Sequence, residues 1–148
     1  MTASMIDGSF NTVLIVAAAL SALAALLHAG CIVFGAPWYR FFGAGERMAR
    51  MAEQGEWRPA LITLGIVLVL ATWSLYALSG AGVLPGLPLL RIALCAIAGV
   101  YLLRGVGGLV VAALPRIERR GFWVWSSAIC LAFGGVHALG VAQRWAML

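Results

Sequence analysis

Charged residues are scarce in this chain of 148 residues. They make up 10% of it, none of the ten basic residues is lysine, and only five residues are acidic. Apolar residues make up 64%, well above the roughly half that is usual in soluble domains. A composition with so little charge excludes an ordinary soluble domain and favours an integral membrane protein.

Residues that carry metal or redox chemistry are also scarce. Cys31, Cys95 and Cys130 stand singly in three different apolar segments, and no C-x-x-C pair occurs, so zinc knuckles and thiol oxidoreductases lack support. The glycines are not followed by the lysine of a phosphate-binding loop. No acidic residue lies inside an apolar segment, which argues against a proton-coupled exporter of the small multidrug type. We therefore expect no metal and no other cofactor.

Four apolar segments fill most of the chain, at residues 12–35, 59–79, 87–114 and 122–143. About 20 apolar residues span a bilayer as a helix, and a backbone in lipid satisfies its own polar groups only in a helix or a closed barrel. Short connections make successive helices antiparallel neighbours. The predicted fold is an all-α membrane protein, with four transmembrane helices in an up-down-up-down antiparallel bundle and a single integral membrane domain over residues 1–148.

The first connection predicts a short interfacial helix over residues 44–54. Ala44, Met48 and Met51 fall on one face of it, and most of the charged residues fall elsewhere, which is typical of a helix lying on a membrane surface. Pro37 is expected to end the first span, and Pro88 to occupy the first turn of the third. The polar residues that offer an N-cap for the first helix are Asp7, Gly8, Ser9 and Asn11.

The distribution of arginine predicts the orientation in the membrane. Most of the arginines lie in the first and third connections between spans. The other side of the membrane has only Arg91 and Arg144, both near helix ends. By the positive-inside rule the first and third connections are cytoplasmic and both termini periplasmic, in a bacterial inner membrane. Anionic membrane lipids are the expected partners of this charge, and no stacking platform or basic groove indicates nucleic acid. The arginines of the two connections are Arg40, Arg47, Arg50 and Arg58, then Arg116, Arg119 and Arg120.

Arg104 is the residue least expected in hydrocarbon, because an arginine in a span costs about 2.5–3.5 kcal/mol on insertion scales. Its planar fork suits a carboxylate, a phosphate or a carbonyl-bearing head group. The alternative is a structural role, in which Arg104 extends to the interface or binds helix-end carbonyls. A rise of about 1.5 Å per residue places Arg104 and His28 in the cytoplasmic half of the bilayer, at a depth comparable to that of Ser126 and Ser127.

These depths predict a ligand-binding group in the cytoplasmic half. Arg104 would hold the polar head of a ligand, and His28 would donate a hydrogen bond to it or move a proton. Tyr101, one turn from Arg104, would orient the ligand, and Glu46 is the nearest candidate counter-charge. Structural roles stay open as well. His28 would then be a hydrogen-bonded core residue, and Glu46 a solvated carboxylate. Trp38 and Tyr39 could line the entrance.

A second polar cluster is predicted nearer the periplasmic side, from His137, Trp73, Tyr76 and Arg91. Because His28 and His137 lie near opposite leaflets, their depths differ by about 10–15 Å. Both ligands of one haem must meet the iron at the same depth. A haem held between these two histidines of one chain is therefore not expected.

One stretch of the chain carries a family resemblance. A histidine late in the first helix is followed by Trp38, Phe42-Gly43, Glu46 and Gln54-Gly55 before the second span. This order, over about a third of the chain, resembles small four-helix bacterial membrane proteins grouped as DoxX-like. The resemblance implies a similar four-helix bundle in an inner membrane and, for some such proteins, a link to quinone-associated redox systems.

Three functions remain open from the sequence. The first is binding or processing of an amphiphile, such as a lipid, quinone or isoprenoid, in the cytoplasmic half of the bundle. The second is a non-catalytic accessory or scaffold subunit, whose glycine and alanine faces pack against a membrane-protein partner. The third is a small transporter that acts as a dimer, and a homo-oligomer is therefore among the possible partners. The sequence does not decide whether the protein is an enzyme.

Overall fold

Residues 10–148 are described by the computed structural model, and over that range the chain is helical with no strand. Four of its helices are 23 to 25 residues long and apolar enough to cross a membrane. They correspond to the four predicted spans, with ends that differ by at most three residues, so four long apolar spans are confirmed. The helices are α1 (Thr12–Phe34), α2 (Ala36–Phe41), α3 (Glu46–Glu53), α4 (Arg58–Gly80), α5 (Leu90–Ala113) and α6 (Arg120–Arg144).

Local signals set the helix ends, with two corrections to the predictions. The backbone N–H of Leu14 donates to Oδ1 of Asn11 at 2.7 Å, so Asn11 caps the start of α1; the other predicted caps, Asp7 to Ser9, lie outside the described residues. α1 does end near Pro37, but the chain re-enters a helix there. Gly35 adopts a positive φ of 69° and Pro37 lies in the first turn of α2, where its missing N–H costs nothing.

The prediction for Pro88 is wrong. α5 begins at Leu90, and Leu89 precedes it in the left-handed conformation, with φ 54°. Pro88 therefore lies outside the helix, in the turn that leads to it. A left-handed residue is uncommon outside glycine, and no sequence signal at Leu89 indicated one.

The chain divides into two compact units. The first, called here the α5–α6 unit, comprises Trp73–Leu148 together with the start of α1 up to Ala19. The second, the α2–α3 unit, is Leu20–Thr72. Whether the two act as the single domain expected from the sequence stays a prediction.

In the α5–α6 unit the two long helices pack antiparallel, in contact at glycines. Leu131 of α6 lies over Gly105 of α5, and Leu102 of α5 lies over Gly134 of α6. A β-carbon on either glycine would come within 3.0 Å of a backbone nitrogen of the other helix. Small residues allow this close approach, which is the usual source of helix association in lipid.

The far end of the same unit is closed by hydrogen bonds between helix ends. The amide nitrogen of Asn11 donates to the carbonyl of Ala81 at 2.9 Å, and its side chain donates to Gln143 at 2.8 Å. Arg144 donates from Nε to the carbonyl of Gly80 at 3.2 Å. The start of α1, the end of α4 and the end of α6 therefore meet at this end of the unit.

The α2–α3 unit has a small core where α2 meets its neighbours. Cys31, Ala36, Tyr39 and Ala49 are buried together, with Trp38 packed against them. The hydroxyl of Tyr39 lies 3.1 Å from that of Thr63, on α4. α3 covers residues 46–53 of the predicted interfacial helix, so a short helix in this connection is confirmed.

Both units expose apolar surface along the long helices. Leu103 is 74% exposed, Leu26 69% and Ile92 66%. A soluble monomer rarely leaves such surface open, whereas lipid chains cover it at no cost. This pattern supports an integral membrane protein.

The glycine contacts predict a position-specific effect on stability. Replacing Gly105 by alanine pushes its β-carbon against Leu131, and overpacking of this kind costs about 1–3 kcal/mol. Gly107 has open space around it, so Gly107→Ala is the matched control and should not lower the unfolding free energy, because alanine is favoured over glycine inside a helix by about 0.5–1 kcal/mol. Unfolding of both variants in detergent micelles, followed by circular dichroism, measures the difference; equal losses would contradict the packing described.

Candidate functional site

Arg104 extends from α5 onto the first turns of α6. Its guanidinium carbon lies 5.3 Å from the centroid of the Trp123 ring, and Nη2 donates to Oγ of Ser126 over a long 3.4 Å. Arg104 is nine residues from the end of α5, about 13 Å by helix rise, whereas Trp123 is about 5 Å from the start of α6. The side chain therefore runs from the hydrocarbon toward the level of the lipid head groups.

The guanidinium and the hydroxyl of Ser127 together occupy the space that a side chain on Gly108 would take. A β-carbon on Gly108 would overlap the hydroxyl of Ser127 and lie 2.7 Å from Nη1 of Arg104. Ser127 is fully buried, and its hydroxyl has no hydrogen-bond partner among the described residues. Leaving a buried hydroxyl without a partner costs about 1–3 kcal/mol. Arg104, Gly108, Trp123, Ser126 and Ser127 form what we call the Arg104 notch.

No carboxylate among the described residues meets the charge of Arg104. Within residues 10–148 it makes no ion pair, since the ion pairs there involve only Arg40 and Arg50. A cation–π contact at an exposed site contributes about 0.5–1 kcal/mol, and a hydrogen bond of 3.4 Å adds little. Neither contact supplies a negative charge, so the notch is suited to an added anionic acceptor.

The turn between α5 and α6 adds further positive charge beside the notch. It contains Arg116, Arg119 and Arg120, against one acidic residue, Glu118. Arg119 stacks over Phe122 at 5.2 Å, and Nη2 of Arg120 donates to the carbonyl of Leu114 at 3.5 Å. α6 begins here without a side-chain cap, so the positive end of its dipole is added to that of the arginines.

Tyr101, expected beside Arg104, lies in the buried aromatic cluster of the α5–α6 unit instead. Its ring centroid is 4.9 Å from Trp73, 5.2 Å from His137 and 5.5 Å from Phe133. His137 is fully buried, and its Nδ1 donates to the carbonyl of Phe133 at 2.8 Å. Aromatic pairs of this kind add about 0.5–1.5 kcal/mol each beyond the area that they bury.

The two other members of the second predicted cluster lie elsewhere. The hydroxyl of Tyr76 donates to the carbonyl of Pro88 at 3.2 Å. Arg91 donates from Nη2 to the carbonyl of Trp145 at 3.0 Å and lies over that ring at 4.8 Å. Of the predicted cluster, the structure brings Trp73 and His137 to the same tyrosine, whereas Tyr76 and Arg91 bind backbone carbonyls near helix ends.

His28 belongs to the α2–α3 unit. It is partly buried, and its Nδ1 lies 2.7 Å from the carbonyl of Ala24, one turn earlier on α1. A carbonyl only accepts, so Nδ1 is the donor. A pocket shared by His28 and Arg104 stays a prediction.

The predicted entrance residues have structural contacts within the α2–α3 unit. The Trp38 ring stacks on Phe34 at 4.5 Å and covers Gly30. Tyr39 is buried against α3 and Thr63. These contacts hold α2 on the end of α1, and they require no ligand.

Glu46 pairs with Arg40 and not with Arg104. The Arg40 guanidinium donates to both oxygens of Glu46 at 3.0 Å and to Glu53 at 2.7 Å, and Nε of Arg50 donates to Glu46 at 3.3 Å. Hydrogen bonds from Arg40 lower the pKa of Glu46 to about 2 and lower the pKa of Glu53, and those carboxylates raise the pKa of Arg40. This network fastens α2 to α3.

No group of three histidine, cysteine, aspartate or glutamate residues able to hold a metal occurs in the described part of the chain. Sequence reasoning noted the depth of Ser126 and Ser127 but not their contact with Arg104, and it missed Trp123 and Phe133 as neighbours of candidate residues. The sequence signal for these contacts was that the serines and Arg104 lie at similar depth. The sequence did not show which face of α5 packs against α6.

No family model, curated protein or solved structure matches the chain. The resemblance to DoxX-like proteins therefore stays a prediction.

The Arg40 network predicts a pH dependence of the α2–α3 segment. The pKa of Glu46 falls from an ordinary 4.5 to about 2 in the folded protein, so its stabilisation is complete above pH 4.5 and is lost as the pH falls from there toward 2. Hydrogen exchange of the α2 and α3 amides, corrected for intrinsic rates, should show protection declining over that window. Arg40→Gln should remove most of this decline, because only the longer hydrogen bond from Arg50 to Glu46 is left, and the control Arg47→Gln, which touches neither carboxylate, should keep it; an undiminished decline in Arg40→Gln would contradict the assignment.

Proposed function

We propose that the protein binds an amphiphilic small molecule, a lipid, quinone or isoprenoid, whose polar head is held at the Arg104 notch. The observation that carries the proposal is a guanidinium with no carboxylate partner among residues 10–148, beside a buried hydroxyl that also lacks one. Both groups cost free energy when unmet. A ligand oxygen would satisfy the guanidinium, which is exposed.

The depth of the notch favours an amphiphile over a water-soluble ligand. Arg104 leaves α5 about 13 Å from its end and reaches α6 about 5 Å from its start, so the head would lie at the interface. Its tail would then run along the exposed apolar surface of α5, where Leu103 is 74% exposed. In this proposal Tyr101, Glu46, Trp38 and Tyr39 hold the helices rather than the ligand.

The proposal includes the orientation predicted from the arginines. The four long helices would run up-down-up-down in a bacterial inner membrane, with the α5–α6 turn and the α2–α3 segment at the cytoplasmic face and both termini in the periplasm. The local antiparallel packing of α5 on α6 supports this arrangement.

A scaffold role is the second candidate. It is favoured by exposed small residues on α6, at Ala128, Ala132 and Gly135, the last with open space around it. Such a face suits a helix of a partner membrane protein. In that case the notch would be filled by the partner and not by a small molecule.

The proposed orientation predicts the pattern of thiol labelling. In a chain whose three cysteines have been replaced by alanine, Gly86→Cys should react with a membrane-impermeant maleimide in spheroplasts, and Glu118→Cys only after lysis. Both positions are exposed, so access to the reagent decides the result. Labelling of position 118 alone in spheroplasts would show that the orientation is the opposite of the one proposed.

Removing the guanidinium should release the bound molecule. We expect Arg104→Leu, purified from its membrane, to carry at least about tenfold less of any co-purifying amphiphile than the wild type, because a charge-assisted hydrogen bond of about 1.5–3 kcal/mol is lost. Mass spectrometry of organic extracts measures this. Arg91→Leu is the control, since Arg91 also stacks on a tryptophan of the same unit but binds a backbone carbonyl. Equal extracts from both variants would contradict the proposal, and recovery of a protein in place of a small molecule would support the scaffold role.

A further inference from the structure

We infer that the head group held at the Arg104 notch is an anionic phosphate ester, as in a phospholipid or an isoprenoid phosphate, and not the neutral carbonyl of a quinone. This inference rests on the proposed function and narrows its ligand class. It depends on the number of unsatisfied donors in the notch and on the charge around it.

The notch offers more donors than a carbonyl can accept. A guanidinium carries five N–H donors, and in the described residues only Ser126 accepts one from Arg104, at 3.4 Å. A ketone oxygen accepts about two hydrogen bonds, whereas the free oxygens of a phosphate accept several and match the planar fork in pairs.

The charge around the notch also selects an anion. Four arginines against one glutamate, between residues 104 and 120, give a net charge of +3. The uncapped start of α6 adds the positive end of a helix dipole in the same region,. A neutral quinone would leave this charge uncompensated, whereas a phosphate would neutralise part of it.

The stacking on Trp123 orients the fork for this role. The guanidinium carbon lies over the Trp123 ring, 5.3 Å from its centroid, and only Nη2 has a hydrogen-bond acceptor among the described residues, so the other N–H groups are left for a ligand. Arg91 provides the contrast within the same unit, because its Nη2 is already bound to the carbonyl of Trp145 at 3.0 Å.

The test compares two lipids that differ only in the phosphate. Native mass spectrometry in detergent measures the binding of phosphatidic acid and of diacylglycerol with the same acyl chains. We expect the wild type to bind phosphatidic acid at least about tenfold more tightly than diacylglycerol, Arg104→Gln to lose about tenfold, and Arg91→Gln to stay within about twofold. Arg104→Lys keeps the charge without the planar fork, so its affinity for phosphatidic acid should lie between those of the wild type and Arg104→Gln. The comparison of the two lipids can be made on the wild type alone.

The other outcomes separate this inference from the proposed function. If diacylglycerol or ubiquinone binds as tightly as phosphatidic acid and depends on Arg104, the phosphate inference is overturned while the proposed function stands. If no amphiphile depends on Arg104, both are overturned. If inorganic phosphate alone displaces phosphatidic acid with the same dependence on Arg104, the phosphate chemistry is upheld and its source is a soluble ion and not a lipid.

Discussion

A charged side chain that starts within a membrane span needs a partner that stabilises its charge. The function assigned to the α5–α6 unit depends on which partner Arg104 has. The protein supplies the ring of Trp123 and one long hydrogen bond to Ser126. It supplies no carboxylate among the described residues. These contacts orient the guanidinium more than they neutralise it. The remaining charge is what makes the notch a binding site in our account.

Glycine packing is what places the guanidinium there. Leu131 over Gly105 and Leu102 over Gly134 fix how α5 and α6 are aligned, and the same alignment brings Ser127 beside Gly108. A larger residue at Gly108 would fill the notch and displace both polar groups. Close helix approach and the proposed chemistry therefore depend on the same small residues.

The two regions of concentrated charge behave differently, and their partners explain why. Arg40 has two carboxylates in contact, at Glu46 and Glu53, so its charge serves to fasten α2 to α3. Arg104 has none, and neither do Arg116 and Arg120 at the turn. Internal neutralisation is consistent with a structural role, and the lack of a carboxylate beside Arg104 among residues 10–148 is what points to a ligand.

Length and apolar composition were sufficient to predict the four spans, because lipid leaves a backbone few alternatives. α2 was missed because a proline after a glycine also marks the end of a helix, and six residues carry too little periodicity to show that a new one begins. The depth of Arg104 followed from helix rise, but its neighbours did not. Tyr101 is three residues from Arg104, which places the two about 60° apart around the helix; this difference turns Tyr101 into the core and leaves Arg104 exposed.

The partner of Arg104 on α6 depends on the alignment of two helices, which short-range sequence patterns do not encode. Serines at equal depth were visible in the sequence, but the contact of Ser127 with Gly108 required the packed structure. The ion pair of Glu46 with Arg40 also required the packed structure, because it forms where α2 and α3 fold back on each other.

The most direct measurement is the unfolding free energy of Arg104→Met in delipidated micelles, relative to the wild type. If the guanidinium serves to bind a ligand, the variant without added lipid should lose at most about 0.5–1 kcal/mol of unfolding free energy, which is the contribution of the cation–π contact. A loss of several kcal/mol would show that Arg104 is a structural residue satisfied by the protein, and would contradict the account.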